Sequence, residues 1–313
     1  MHKILLLFAA VVMCAATATA QDVLGESDLK RLEKADAKVA DAKKSAKADT
    51  WLNHGKEYSL AFQKSHNTEY ATTALCSLAR AYELDNDIKA EAEAYLSIII
   101  NVLDSRCSEL SHDKRYMEAA ECYELLHKCW SSPVAEEQAA EYFATFTLAQ
   151  AGLYYGIESE QNEHKDVLLS KAESLMSKAL DMGYKDNGEV FINLFSCYYA
   201  HKFANETKYL DLAKQTLLRG LEQHPANVSI IERLAELYSV EKVGDIEEVV
   251  MLLNEALIAE PNSYELWYQS GVLYGALGEY DEAIASLERC VELHPDSFEA
   301  NYGVACFIIE KAN

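Results

Sequence analysis

The chain has 313 residues, 50% of them hydrophobic, with only 12 Gly and 4 Pro and a formal net charge of −23. That hydrophobic share argues against a disordered chain, and the scarcity of Gly and Pro against a fold of many short strands and turns. So acidic a surface argues against nucleic acid or an anionic membrane as partner, leaving a basic protein, a basic peptide, bound cations, or plain solubility as the use of the charge.

Residues 1–20 read as an export signal. Lys3 supplies the positive start, Ile4–Met13 is an apolar stretch too short to span a bilayer, and Ala18 and Ala20 are small residues where a signal peptidase reads, so cleavage is expected before Gln21. The expected location is the periplasm, with no membrane insertion after cleavage; the alternatives are secretion or a lipid anchor on Cys14, which the preceding Met13 disfavours. Lys3 is the only charged residue of this segment, so removing it makes the chain one charge more negative. Residues 21–47 are Ala- and Lys-rich and predict a lead helix or N-terminal cap; residues 21–50 balance 7 acids with 7 bases, so the acidic excess lies beyond them.

The rest of the chain is periodic. Pro225, Pro261 and Pro295 are 36 and 34 residues apart, a spacing that signals stacked repeats. Before Pro295, Trp267, Gly271 and Tyr274 share one helix face, Leu277-Gly278 breaks it, and Ala283, Leu287 and Cys290 line a second helix that the proline ends. This pattern resembles the tetratricopeptide repeat (TPR), with Ser270 at a position usually Leu. The same frame places Ile231, Leu234, Ala235 and Tyr238 before Val249, Leu253, Ala256 and Pro261. It places Phe191, Leu194 and Tyr198 before Ala213, Leu217, Gly220 and Pro225, with Phe195 at the small position. Trp51, Gly55 and Tyr58 with Ala74, Leu78 and Ala81 give a first repeat, while Ala151, Tyr154 with Ala172, Met176, and an irregular 88–110 with Ala119, Tyr123, fit weakly.

The resemblance implies an all-α fold, a right-handed α-solenoid of antiparallel helix pairs. About six pairs would cover 48–297, best in 188–227, 228–263 and 264–297, with 298–313 as a C-terminal capping helix. On repeat pattern the chain is similar to exported TPR proteins of Gram-negative bacteria. In that family the concave groove is lined by first-helix residues that point away from their own pair; the matching positions are Leu52, Lys56, Ile192, Tyr199, Glu232, Glu236, Tyr268 and Val272. Members that grip a peptide's terminal carboxylates use Lys and Asn there. Here Lys56 is the only basic candidate beside Leu52, Ile192, Ser196, Glu232 and Glu236, so a chaperone-tail clamp is not expected.

Motifs for chemistry are missing: no HExxH, GxxxxGK[ST], GxGxxG or GxSxG occurs, and no cofactor is expected. Glu279, Asp281 and Glu282 crowd one turn, which a helix start explains better than an acid pair, as does the related run Gly244-Asp245-Ile246-Glu247-Glu248. Cys107 with His112 is the nearest approach to a nucleophile and base, and a close Cys–His pair is common by chance. Beyond Cys14 seven cysteines remain, an odd number without CxxC, which reads as mostly buried free thiols. Nineteen tyrosines include Tyr154, Tyr155, Tyr198, Tyr199, Tyr268 and Tyr274 on first helices, where a flat ring with a polar tip suits an extended peptide. The expectation is a non-catalytic exported scaffold for an unknown protein or peptide. The alternatives are an enzyme or cation-binding protein using an acidic groove, or a self-assembling structural protein.

Overall fold

The computed structural model describes residues 23–202, 206–241 and 246–312. The signal residues Ala18, Ala20 and Gln21, and Cys14, lie outside them, as do parts of the turns at 201–207 and 240–244. Among the described residues the chain is all-α. Its helices are α1 (Glu26–Ala40), α2 (Ala48–Ser65), α3 (Thr68–Leu84), α4 (Lys89–His112), α5 (Tyr116–Trp130), α6 (Glu137–Ser159) and α7 (Lys165–Asp181). They continue with α8 (Glu189–Ala200), α9 (Glu206–Gln223), α10 (Val228–Glu241), α11 (Ile246–Ala259), α12 (Tyr264–Leu277), α13 (Tyr280–Leu293) and α14 (Phe298–Ala312). Two compact units divide at Ala151 and Gly152, inside α6.

The helix starts repeat chemically. Asn227, Ser263 and Ser297 each stand two residues past a proline and accept a hydrogen bond from the N–H three residues on: Ile230 at 3.1 Å, Leu266 at 3.3 Å and Ala300 at 3.2 Å. At the fourth residue of α2, α12 and α14, a side-chain N–H reaches back six residues to a carbonyl: Trp51 to Ser45 at 2.8 Å, Trp267 to Pro261 at 2.9 Å, Asn301 to Pro295 at 3.2 Å. The α12–α13 turn is made by Gly278 at φ 81°, whose left-handed backbone closes α12. Glu279 is then the N-cap residue of α13, with Asp281 and Glu282 in its first turn. Asp281 pairs with Lys311 of α14, and Tyr280 stacks on Phe307 at 6.0 Å.

In three of the pairs the helices touch at a matching place. A Cβ on Gly55, Gly152 or Gly271 would lie 2.7 Å from Leu78, 2.6 Å from Met176 and 2.6 Å from Leu287, respectively. The partner helix each time offers an alanine and, one turn on, the larger side chain: Ala74 and Leu78, Ala172 and Met176, Ala283 and Leu287. In α8 this position holds Phe195, which is buried, and the close approach moves to Gly220 of α9, where a Cβ would lie 2.9 Å from Ile230 and 3.1 Å from Phe191.

In the first unit, α1 is latched to the α2–α3 pair by a polar knot. Asp36 accepts from the Tyr58 hydroxyl at 2.9 Å and bonds His54 Nε2 at 2.9 Å, while His54 Nδ1 meets Ser77 Oγ at 2.8 Å. Asp28 anchors the other end, with its carboxyl held below the usual range chiefly by the Lys64 ammonium at 2.7 Å. In the second unit, first helices are tied to one another. Tyr199 of α8 and Lys202 just beyond it both donate to Glu241 of α10, each at 2.5 Å, with the Lys202 ammonium 4.0 Å from the Tyr199 ring centre. A second such trio joins α9, α10 and α11: Tyr238 donates to Glu248 at 2.6 Å and Lys214 at 3.2 Å.

Two outcomes follow. Alanine exceeds glycine in helix propensity by about 1 kcal/mol, yet Gly271→Ala should destabilise the protein by about 1–3 kcal/mol in urea unfolding, because its methyl meets Leu287; adding Leu287→Ala should recover part of the loss of the pair. A variant as stable as wild type would contradict the close approach. Glu241 has its pKa held below the ordinary 4.5, first by Lys202 and then by Tyr199. Its contribution is therefore present above that value and lost as pH falls through the folded one. Glu241→Gln should lower the urea midpoint at pH 7, with the gap closing as pH falls below 4.5 and through the folded pKa; a gap that stays constant across that fall would contradict the tie.

Candidate functional site

Six of the eight groove positions fall in the second unit, on α8, α10 and α12, which lie side by side. Ile192 and Tyr199 stand on α8, Glu232 and Glu236 on α10, Tyr268 and Val272 on α12. Side-chain bonds tie the three helices together. Glu232 accepts from Gln269, the neighbour of Tyr268, so α10 and α12 are bridged beside the tyrosine. Glu236 accepts from Arg233 at 2.8 Å, and Tyr268 stacks on Tyr264 with rings 15° apart. Val272 is 45% exposed. Tyr199 is half-buried, its hydroxyl engaged by Glu241 and its ring packed against Lys202 and Phe195, so it braces the helices rather than offering a free donor. These positions combine aromatic and aliphatic area with carboxylates, one of them paired to Arg233.

The two positions in the first unit differ from expectation. Leu52 is buried at 5% exposure and belongs to the core. The reason is α4, whose 24 residues far exceed the 14 of α12, so that it packs along α2. Lys56, one turn beyond Leu52, meets it directly, its ammonium 5.6 Å from the Tyr95 ring centre. Tyr155 likewise faces inward, 2% exposed, and accepts from the Lys171 ammonium at 2.6 Å.

Sequence reasoning missed a cleft in the first unit. It occupies about 290 Å³ between α4, α5 and α6, near the low end of the roughly 300–1,000 Å³ typical of ligand pockets. Leu96 and Ile100, Leu126 and Trp130, and Phe143 and Phe146 form its apolar walls. Trp130 and Phe143 stack at 4.7 Å and 20°, and Phe143 is 38% exposed. Glu93, Asp104 and Glu136 also line it, with Ser97, Asn101 and Thr147. The available signals were Trp130 and Pro133, the one proline outside the repeat spacing, which lies in the α5–α6 connection.

The thiols are set for packing. Cys107, Cys122, Cys129, Cys197 and Cys290 are buried and free, as expected for most of the thiols, whereas Cys76 is exposed and Cys306 partly so. Cys107 and Cys122 bring their sulfurs to 2.9 Å, and the contact with Cys122, then burial, pushes the Cys107 thiol far up. Burial pushes Cys129 up to about 12. His112 is 90% exposed at its side chain, so it does not serve Cys107 as a base. A Cys–His–Glu grouping does occur at α7–α8, where buried His201 lies 2.6 Å from Glu173 and Cys197 is one turn away. There burial, with Glu173 adding, pushes the Cys197 thiol up to about 12, the reverse of what a nucleophile needs. Among the described residues no group of three or more His, Cys, Asp or Glu is placed to hold a metal ion, and no helix is long and apolar enough to cross a membrane.

Residues 264–297, the α12–α13 pair, match the family model of the tetratricopeptide repeat. No curated protein sequence matches the chain. Similar solved structures include YrrB, described as a TPR protein with an unusual peptide-binding site, at 16% identity and a TM-score of 0.39, covering 72% of this chain and 96% of that one. The APC/C hetero-tetramer Cut9–Hcn1 is similar at 12% identity and a TM-score of 0.35, covering 90% of this chain and 46% of that one. The TPR2AB domain of yeast Sti1 in its pHSP90 complex is similar at 15% identity and a TM-score of 0.25, covering 84% of this chain and 97% of that one.

Proposed function

We propose that this protein is a non-catalytic, exported scaffold that holds a protein or peptide against the first-helix face of α8, α10 and α12. The observation that carries the reading is the bridging of those three helices through Tyr199–Glu241 and Glu232–Gln269, on helices that also carry exposed Val272 and Glu236 and half-buried Tyr268. A surface already ordered loses less freedom on binding, which is where repeat scaffolds gain affinity. The TPR match at 264–297 supports the reading, because it covers the helix pair carrying Tyr268 and Val272. The net charge of −23 favours a basic partner, drawn in by charge and released by salt. The periplasmic location rests on the pattern of Lys3, Ile4–Met13 and Ala18-Thr19-Ala20.

The test is affinity capture from periplasmic extract of the native host with wild type and the triple variant Tyr199→Ala/Glu236→Lys/Tyr268→Ala. The triple variant should recover the main partner about tenfold less, since buried aromatic anchors dominate such surfaces, and the wild-type complex should dissociate as salt is raised. Equal recovery by a folded variant would overturn the assignment of the face.

A further inference from the structure

We propose that the α4–α5–α6 cleft of the first unit is a second binding site, for an arginine side chain of a peptide partner. The inference rests on the scaffold reading above and deepens it, since it names a partner chemistry and a separate place for it. The walls are the first argument. Trp130 and Phe143 stack on each other and Phe143 keeps 38% of its surface exposed, so a flat apolar shelf opens on solvent. Tyr142 beside it is 56% exposed. Such a shelf accepts the broad face of a guanidinium and the methylene stem behind it.

The polar groups supply the second argument. Glu93, Asp104 and Glu136 all stand on the lining, and among the described residues no lysine, arginine or histidine shares it. The nearest lysine on α4, Lys89, is drawn to Glu137, 3.0 Å away. The hydroxyls have spent their protons on backbone: Ser97 donates to the Glu93 carbonyl at 2.9 Å and Thr147 to the Phe143 carbonyl at 2.7 Å. What faces an incoming ligand is therefore largely acceptor: three carboxylates and two hydroxyl lone pairs, against the amide of Asn101 and the indole N–H of Trp130 as donors. For an anion no cationic side chain among the described lining residues offsets those carboxylates. A guanidinium brings five N–H donors in one plane, which carboxylates beside an aromatic shelf can take up while the ring face stacks. A volume of about 290 Å³ takes one long side chain, not a folded element.

The test uses the full chain, labelled with ¹⁵N, and its three indole N–H signals from Trp51, Trp130 and Trp267, with Trp130→Phe giving the assignment. The probes are acetyl-Ala-Leu-Arg-Leu-Ala-amide and the same peptide with Gln or Glu in place of Arg. The arginine peptide should move the Trp130 signal along a saturating curve, the glutamine peptide should bind about tenfold more weakly, and Asp104→Asn/Glu136→Gln should weaken the arginine peptide about tenfold. Both substituted side chains are exposed, so circular dichroism should show the variant folded. Equal binding of the Gln or Glu peptide, or an unaffected carboxylate variant, overturns the proposal. A shift of Trp267 with Trp130 still overturns the cleft and leaves peptide binding standing. No shift of any indole up to millimolar peptide also overturns the cleft, while the scaffold reading is decided by the capture experiment.

Discussion

The architecture depends on one close approach. At Gly55, Gly152 and Gly271 the first helix of a pair lets the Leu or Met of the second come so near that a methyl group would collide. Such contact lets the alanines one turn earlier, Ala74, Ala172 and Ala283, sink to zero exposure. Once that contact sets the roll of the first helix, its remaining positions are assigned. Trp51 and Trp267 turn back to cap the incoming chain, and the positions next to them are released toward neighbours or solvent. Val272 is available because Gly271 is committed.

The acidic surplus is put to two uses. Some carboxylates are structural: Asp36 and Asp28 hold α1, Glu241 and Glu248 join consecutive pairs, and Glu279–Glu282 start α13. Asp36, Asp28, Glu241 and Glu248 are bonded within the fold and offer a ligand little. Others, such as Glu93, Asp104 and Glu136, stand beside open aromatic surface. The distinction matters because an ion pair at the surface contributes little, whereas a carboxylate beside an apolar shelf discriminates strongly by charge.

Much of the fold was legible because its punctuation is local. The prolines at 225, 261 and 295 mark the ends of second helices, and the residue two beyond each is the cap that begins the next pair. The acids after Gly278 read correctly as a helix start for the same reason. Legibility failed where the repeat frame was stretched. Helix α4 seemed irregular from 88 to 110 when aligned on Ala119. Its buried residues Ala92, Leu96, Ile99, Leu103, Cys107 and Leu110 nonetheless form an unbroken stripe at intervals of three and four. The extra turns of α4 cover α2, which is why Leu52 is core rather than groove. The cleft was invisible for a related reason: Trp130, Phe143 and Ile100 meet only across three helices, and nothing in their local sequence announces it.

The central claim is that partners engage the first-helix face and not the outer one. Photo-crosslinking from benzoylphenylalanine placed at Val272 on α12, and at Ile258 on α11, tests it most directly. Both side chains are exposed, at 45% and 82%, so accessibility alone favours Ile258. The account predicts a discrete crosslinked partner from position 272 and none from 258. A partner captured from 258 with 272 silent would contradict it.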